Sequence, residues 1–153
     1  MDTTESVEFA QKFLADTIAF FGENLEVTAT QSDDIIELHV ESSDLNSILI
    51  GRNAETLRSL QYIVSTALRN RDAALYRVNV DVADYKKQRE EKLAEKAREW
   101  IEEVRRTNDS YVASLNAADR RIVHQVASEY SDIRTYSEGE GRDRKIIIAQ
   151  ISS

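Results

Sequence analysis

The chain has 153 residues, 41% of them hydrophobic and 31% charged, which allows one ordinary domain or two small ones and excludes a disordered protein. The formal net charge of −8 disfavours a protein that coats nucleic acid non-specifically. The sequence has no cysteine, which excludes disulfides and thiolate metal sites, and it has neither a long apolar run nor a signal peptide, so we expect a cytoplasmic protein without membrane insertion.

Hydrophobic periodicity predicts both helices and strands in the first half of the chain. A spacing of three to four residues is typical of a helix, whereas alternation is typical of a strand with one buried face. In chain order, these patterns predict a helix over residues 5–21, strands around residues 25–29 and 36–40, a short helix over 45–50 that ends at Gly51, a further helix, and a strand over 76–82. The first two strands form an antiparallel hairpin. We expect the Asn53 side chain to cap the helix that follows it.

The second half of the chain begins with a long charged helix. The helix over residues 85–106 carries an apolar stripe formed by Leu93, Ala97, Trp100, Ile101 and Val104. We expect this stripe to pack onto its own domain, because it is too short for a coiled coil of three heptads. Another helix begins at Asn116, and the segments 132–137 and 145–149 predict a closing hairpin. We therefore place one domain at residues 1–83 and a second, with the connecting helix, at residues 84–153.

Acidic and basic side chains are unevenly distributed. Residues 1–50 hold eleven acidic side chains and one basic, a net charge of −10, whereas residues 51–153 hold nineteen basic and seventeen acidic, a net charge of +2. The change falls at Gly51. This segregation allows a local positive site in the later part of the chain, and the alternative is that the acidic part is simply a solvated face.

The segment that follows the short helix over residues 45–50 is a candidate phosphate-binding loop, formed by Gly51, Arg52, Asn53 and Ala54. Glycine lets a backbone approach a ligand closely, and the N-terminus of the next helix presents free amides and a positive dipole end. Arg52 adds a positive charge. The alternative is an ordinary glycine at the C-terminus of a helix.

Arg120 and His124 are four residues apart on a predicted helix, so their side chains lie on one face. Arginine can bind a phosphate through two parallel hydrogen bonds, and histidine can donate one hydrogen bond when neutral and two when protonated. We expect Ile122 and Val126 to face the core instead. Further basic residues that extend this candidate site are Arg121, Arg142 and Arg144. The alternative is that His124 is a surface or core-edge histidine bonded to a neighbour.

The sequence contains no recognisable nucleophile motif and no nucleotide-binding glycine loop, so we predict that the protein is not an enzyme. We assign no cofactor. The two histidines are 85 positions apart and offer no obvious metal cluster.

The order of these motifs resembles the Jag family of bacterial proteins, also called KhpB or SpoIIIJ-associated proteins. Residues 49–62 resemble the loop and second helix of a type II KH domain, whose Gly-x-x-Gly loop clamps the backbone of single-stranded nucleic acid. Arg120 and His124 are similar to the Arg-x-x-x-His signature of the R-three-H domain. The resemblance covers residues 4–151. It implies an α+β fold, in which a type II KH domain with a three-stranded sheet and helices on one face is joined by a long charged helix to a small α/β R-three-H domain.

The resemblance also implies a function. We expect a protein that binds single-stranded RNA, with single-stranded DNA as a further ligand, in post-transcriptional regulation linked to cell growth, division and shape. A small KH-only protein is the partner that the resemblance suggests, and the oligomeric state stays open. Ala54 replaces the final glycine of the loop, which predicts a weakened site, and the N-terminal Jag domain of many relatives is missing from the sequence. The competing hypothesis is a protein-interaction scaffold with a degenerate KH domain.

Overall fold

The protein forms two compact units, as a computed structural model that describes residues 1–151 shows. Met1–Lys86 form the first unit, and the second begins at Lys87. Each unit combines helices with a three-stranded sheet, which confirms the predicted mixed α+β class. Within the described range, no helix has the length and apolar character needed to cross a membrane.

The first unit contains three helices and three strands. They are α1 (Thr3–Ala19), β1 (Val27–Ser32), β2 (Ile35–Val40), α2 (Asn46–Ile50), α3 (Glu55–Asn70) and β3 (Arg77–Val82). The predicted hairpin is present, since β1 and β2 are antiparallel. β3 pairs with β2 in parallel, and the strand order is β1-β2-β3. A parallel pair needs a crossover connection, which α2 and α3 provide, and β3 is left at the edge of the sheet.

The helices of the first unit pack against one face of its sheet. Alternate strand residues are buried there, including Ile36, Leu38, Val40, Val78, Val80 and Val82. They share a core with apolar residues of the helices, among them Ala10, Leu14, Ile18, Leu57, Leu60, Val64 and Leu68. The opposite face is polar, because Asn79 donates a hydrogen bond to Glu37 and accepts one from Lys86. The alternation of the strand sequences therefore encodes which face is covered.

The second unit contains two helices and an antiparallel sheet. Its elements are α4 (Tyr85–Thr107), which begins at the end of the first unit, β4 (Tyr111–Ser114), α5 (Ala117–Ala127), β5 (Ile133–Glu138) and β6 (Lys145–Gln150). The strand order is β4-β6-β5. The closing hairpin of β5 and β6 was predicted, whereas β4 was missed, because four residues are too few to establish a periodic pattern.

The apolar stripe of α4 packs into the second unit, as predicted. Core residues contributed by α4, α5 and the sheet are Ala97, Ile101, Val104, Val123, Val126, Ala127, Ile133, Ile146 and Ile148. Trp100 stacks on Tyr111 of β4, with ring centroids 4.9 Å apart. Of the two α5 residues expected to face the core, Val126 does, whereas Ile122 lies outside it. The buried face of α5 runs through Asp119, Val123 and Val126.

Candidate nucleic-acid interface

The loop between α2 and α3 depends on Gly51. This residue ends α2 with φ 75° and ψ 175°, in a region that favours glycine. A Cβ atom at this position would collide with the hydroxyl group of Thr56 and lie 2.9 Å from the Thr56 backbone nitrogen. Arg52–Ala54 then form a single 3-10 turn before α3. The tight turn therefore excludes side chains at Gly51.

The rest of the loop differs from the prediction. Asn53 has φ 54° and Ala54 has φ 60°, so both residues adopt the left-handed conformation. Asn53 does not cap α3, because Ala54 occupies the capping position and no side chain caps the helix there. The amides of Ala54 and Glu55 donate hydrogen bonds to the carbonyl oxygens of Gly51 and Arg52. The loop consequently offers fewer free amides to a ligand than the sequence suggested.

The methyl group of Ala54 contacts protein rather than standing free in solvent. Ala54 is half-buried and packs against the core of the first unit. The obstruction expected from this methyl group is therefore smaller than a fully exposed methyl group would cause.

A groove of about 680 Å³ runs between α3 and the strands β2 and β3. Its lining residues are Ile35, Glu37, Arg58, Gln61, Tyr62, Ser65, Arg69, Arg77, Val78 and Asn79. Three of these are arginines, and the Tyr62 side chain is 71% exposed. A second hollow of about 600 Å³ shares Arg58 and Tyr62 with this groove. An exposed aromatic ring among cations is suited to unpaired bases and their phosphates.

Arg58 connects the loop to the groove. Its Nη1 atom donates a 2.7 Å hydrogen bond to the carbonyl oxygen of Asn53. On the same helix, the guanidinium of Arg69 lies 4.7 Å from the ring centroid of Tyr76. Sequence reasoning missed Arg58, Tyr62 and Arg69, although their spacing of four and seven residues places them on one side of a helix. The signal was therefore present, but a polar stripe on a helix usually indicates no more than a solvated face.

In the second unit, Arg120 lies at a cleft beside the N-terminus of α5. Asn116 caps this helix by accepting a 2.9 Å hydrogen bond from the amide of Asp119. The Nη1 atom of Arg120 donates a 2.6 Å hydrogen bond to the carbonyl oxygen of Leu115. The cleft has a volume of about 420 Å³ and is lined by Ser114, Leu115, Asn116, Ala117, Arg120, Gly141 and Arg142. Two guanidinium groups and a helix N-terminus at one cleft make a site for an anion.

His124 is held by two hydroxyl groups of β5. Its Nδ1 atom lies 2.5 Å from Oγ1 of Thr135, and its Nε2 atom lies 3.4 Å from Oγ of Ser137. Burial lowers the pKa of His124 below the ordinary value, and the positive charge of Arg120 lowers it further. The imidazole is therefore neutral at pH 7 and can donate one hydrogen bond. Sequence reasoning missed Thr135 and Ser137, because they face the helix only after β5 has paired with β6.

The other three basic residues of the candidate site have different surroundings. Arg142 shares the cleft with Arg120, and Arg121 is exposed on α5. Arg144 donates a 2.8 Å hydrogen bond to the carbonyl oxygen of Gly139, which closes the turn between β5 and β6. In residues 1–151, none of the ion pairs involves any of these arginines or Arg120. Within that range, their charges are not neutralised by a directly contacting carboxylate.

Among the described residues of the first unit, one group of side chains could hold a metal ion. His39, Asp81 and Asp84 each offer one ligand atom, and these atoms lie within 4.8 Å of one another. His39 and Asp81 are partners in the parallel pairing of β2 and β3. This group was not predicted from the sequence, because His39 meets the two aspartates only through that pairing. An imidazole with carboxylates is a donor set that suits divalent transition metals.

Comparison with known proteins finds similarity over both units. Residues 87–150 match the family model of the R-three-H domain. The chain is 26% identical over 152 residues to the RNA-binding protein KhpB of Bacillus subtilis, an alignment that covers 97% of the chain and 73% of that protein. It is 30% identical over 127 residues to the protein of the same name from Clostridium symbiosum, covering 82% and 57% of the two chains.

A third relative with this name comes from Streptococcus pneumoniae. It is 27% identical over 131 residues, and the alignment covers 82% of the chain and 40% of that protein. The chain therefore spans less than two thirds of the length of the Clostridium symbiosum and Streptococcus pneumoniae proteins.

Proposed function

Because residues 87–150 form an R-three-H domain and the chain is a homologue of the Jag/KhpB proteins, we propose that it binds single-stranded RNA. The observation that carries this proposal is the cleft at the start of α5, where Arg120 and Arg142 meet a helix N-terminus. A phosphate of the RNA backbone at this cleft receives hydrogen bonds from the Arg120 guanidinium, and the His124 imidazole, which lies one turn further along α5 and outside the cleft lining, contacts an adjoining phosphate. Arg121 and Arg144 contribute positive charge around this contact.

The proposal extends to the first unit, which we assign as a type II KH domain. The element order and the pairing of one antiparallel and one parallel strand support this assignment. The RNA backbone passes the loop formed by Gly51, Arg52, Asn53 and Ala54, and its bases enter the groove lined by Arg58 and Tyr62. Arg58 supports this path, because it contacts both the loop and the groove.

Two modest binding sites on one chain strengthen each other when one RNA strand occupies both. The second contact then forms at a high effective concentration, so that weak individual affinities give useful overall binding. The proposal also includes a role in post-transcriptional regulation of cell growth and division. It further includes a small KH-only partner protein and binding of single-stranded DNA. These parts rest on the family resemblance.

The competing function is a protein-interaction scaffold. The excess of acidic residues in the first fifty positions favours the scaffold, since an acidic surface repels phosphate. The groove of the first unit argues against the scaffold, because Arg58 and Arg69 line it together with Arg77, which is paired with Asp34, against one carboxylate, Glu37. The two functions differ in their dependence on salt. RNA binding through two to four phosphates gives a log–log salt slope of about −1.4 to −2.8, whereas an apolar protein interface is much less sensitive.

The test is a fluorescence-anisotropy titration of a labelled, mixed-sequence single-stranded RNA at low and moderate salt. The unmodified chain is compared with the double variant Arg120→Ala/His124→Ala, and a single-stranded DNA of the same sequence measures selectivity. We expect salt-sensitive binding that the double variant loses. Absence of binding by the unmodified chain even at low salt would favour the scaffold instead.

A further inference from the structure

The sheet of the second unit has an exposed face that the Arg120/His124 site does not use. Its inner face is covered by α4 and α5, which pack on Ile133, Ile146 and Ile148. Successive residues of a strand point to opposite faces, so the intervening residues lie on the outer face. Six of these outer-face residues form the surface that we call the Tyr136 face. They are Val112, Arg134, Tyr136, Glu138, Lys145 and Ile147.

The centre of the Tyr136 face is apolar and aromatic. Ile147 is the register partner of both Val112 on β4 and Tyr136 on β5, so the three side chains form one row across the sheet. Ile147, at the centre of the row, is 7% exposed, whereas Val112 and Tyr136 on either side are 53% and 37% exposed. The exposed parts of Val112 and Tyr136 offer flat contact area to a ligand.

Two cations share this face with the aromatic ring. The guanidinium of Arg134 lies 5.4 Å from the ring centroid of Tyr136. Lys145 is exposed on the neighbouring strand, opposite Glu138, which is the one acidic residue among the six. Aromatic rings and guanidinium planes are the groups on which unpaired bases stack, and the cations attract the adjoining phosphates.

The position of β5 connects this face to the site on α5. β5 lies at the edge of the sheet, and its inner residues Thr135 and Ser137 contact the imidazole of His124. Tyr136 stands between these two residues in sequence and points to the other face. Only the thickness of one edge strand therefore separates His124 from the Tyr136 ring.

We propose that the Tyr136 face is a base-stacking subsite for single-stranded RNA, in which an unpaired base stacks on Tyr136 and Arg134. The inference rests on the proposed RNA binding and adds to it a second surface. The RNA backbone contacts His124 beside the free edge of β5 and crosses that edge. A following base then reaches the Tyr136 ring.

The test compares two ligands on the full chain. Labelled single-stranded RNA is titrated against the unmodified chain and Tyr136→Ala, and both titrations are repeated with an abasic ribose-phosphate oligomer of equal length. We expect Tyr136→Ala to weaken RNA binding by about 5- to 150-fold, the range for removal of one aromatic stacking partner. Binding of the abasic oligomer should hardly change. The salt slope should also stay the same, because tyrosine carries no charge.

Three further variants accompany this experiment. Tyr136→Phe keeps the ring and should retain most of the RNA affinity. Phe20→Ala removes a ring that is 92% exposed at the end of α1, and it should leave RNA binding unchanged. Arg134→Ala keeps the tyrosine, and should weaken RNA binding and reduce the salt slope, so it tests the face if Tyr136→Ala does not fold. Circular dichroism establishes the folding of each variant.

The outcomes separate this inference from the proposed function. Loss of RNA binding in Arg120→Ala with unchanged binding in folded Tyr136→Ala overturns the stacking subsite and leaves RNA binding in place. Failure of the unmodified chain to bind RNA overturns both. A change from dimer to monomer in Tyr136→Ala by sedimentation velocity, with unchanged RNA affinity, assigns the face to contact between copies of the chain and also overturns the subsite.

Discussion

The guanidinium of Arg89 donates hydrogen bonds of 2.8 and 2.7 Å to the two carboxylate oxygens of Asp119, the residue directly before Arg120. The Asp119 side chain is 7% exposed, whereas the Arg89 side chain is 47% exposed. Arg89 belongs to α4, and Asp119 lies in the first turn of α5. The helix that carries Arg120 and His124 is therefore tied to α4 by an ion pair that lies beside the candidate site.

Replacement of Arg89 by alanine should destabilise the protein. The variant leaves the buried carboxylate of Asp119 without its bidentate partner, which costs about 1–3 kcal/mol of unfolding free energy. Urea denaturation followed by circular dichroism measures this loss. Arg106→Ala is the matched control, because its 2.6 Å contact with Glu103 is similarly short but exposed. Equal losses of unfolding free energy in the two variants would contradict the expectation that burial of Asp119 makes its ion pair more important for stability.

Several elements could be predicted because their own spacing encodes them. The buried residues Ala10, Leu14 and Ile18 recur every four positions in α1, and alternate residues of β2 are buried. The Arg-x-x-x-His pair was likewise placed on a helix, because both residues belong to one short periodic segment. Local periodicity requires no knowledge of the rest of the fold.

The surroundings of the candidate sites could not be predicted in the same way. The hydroxyl partners of His124 lie 11 and 13 residues away, on a strand whose facing depends on the whole second sheet. Asn53 was expected to cap α3 on residue type alone, but the tight turn places Ala54 in the left-handed capping position. Packing of the second sheet decided the first case and the backbone of the turn decided the second, and the periodicity of a single segment encodes neither.

Replacement of Arg120 by alanine should weaken RNA binding by about 1–3 kcal/mol, since the phosphate loses a charged hydrogen bond. The salt slope should also become less negative by about 0.7 for each phosphate that the variant no longer binds. Anisotropy titrations at several salt concentrations measure both quantities. Arg98→Ala removes an exposed arginine of α4 and serves as the control. Unchanged affinity in Arg120→Ala would remove this residue from the binding site.

RNA binding should strengthen as the pH falls. Burial and Arg120 lower the pKa of His124 in the free protein below the ordinary value of 6.5. A bound phosphate raises that pKa, because it stabilises the protonated ring, so RNA binding takes up a proton. We therefore expect affinity to increase as the pH is lowered through the region below 6.5. His124→Asn should abolish this increase, and His39→Asn should preserve it. A pH-independent affinity would place the phosphate away from His124.

Protein stability should show the opposite dependence on pH. The folded-state pKa of His124 is depressed, so the unfolded chain binds the proton first as the pH falls. The stability contributed by the neutral imidazole is therefore complete above pH 6.5 and is lost as the pH falls towards the folded-state pKa. Urea midpoints of the unmodified chain and His124→Asn at a series of pH values isolate this contribution. A midpoint difference that does not change with pH would contradict it.

Replacement of Gly51 by alanine should destabilise the loop between α2 and α3. The new Cβ atom would lie 2.9 Å from the backbone nitrogen of Thr56, and the residue would keep a positive φ. Left-handed strain with a backbone clash costs about 1–3 kcal/mol. Gly22→Ala is the control, since Gly22 also has positive φ but a Cβ atom there would have no neighbour within 4 Å. Urea denaturation should show a larger loss for Gly51→Ala, and equal losses would exclude the clash.

Replacement of Ala54 by glycine should tighten RNA binding if the loop contacts the phosphate backbone. Glycine adopts φ 60° without strain and removes the methyl group of Ala54 from the loop. The methyl group of Ala54 packs partly against the core, so the gain should be smaller than for removal of a fully exposed group. Anisotropy titrations compare Ala54→Gly with the unmodified chain and with Gly22→Ala, which lies outside the loop. Unchanged affinity in Ala54→Gly, together with loss of binding in Arg120→Ala, would restrict RNA contact to the second unit.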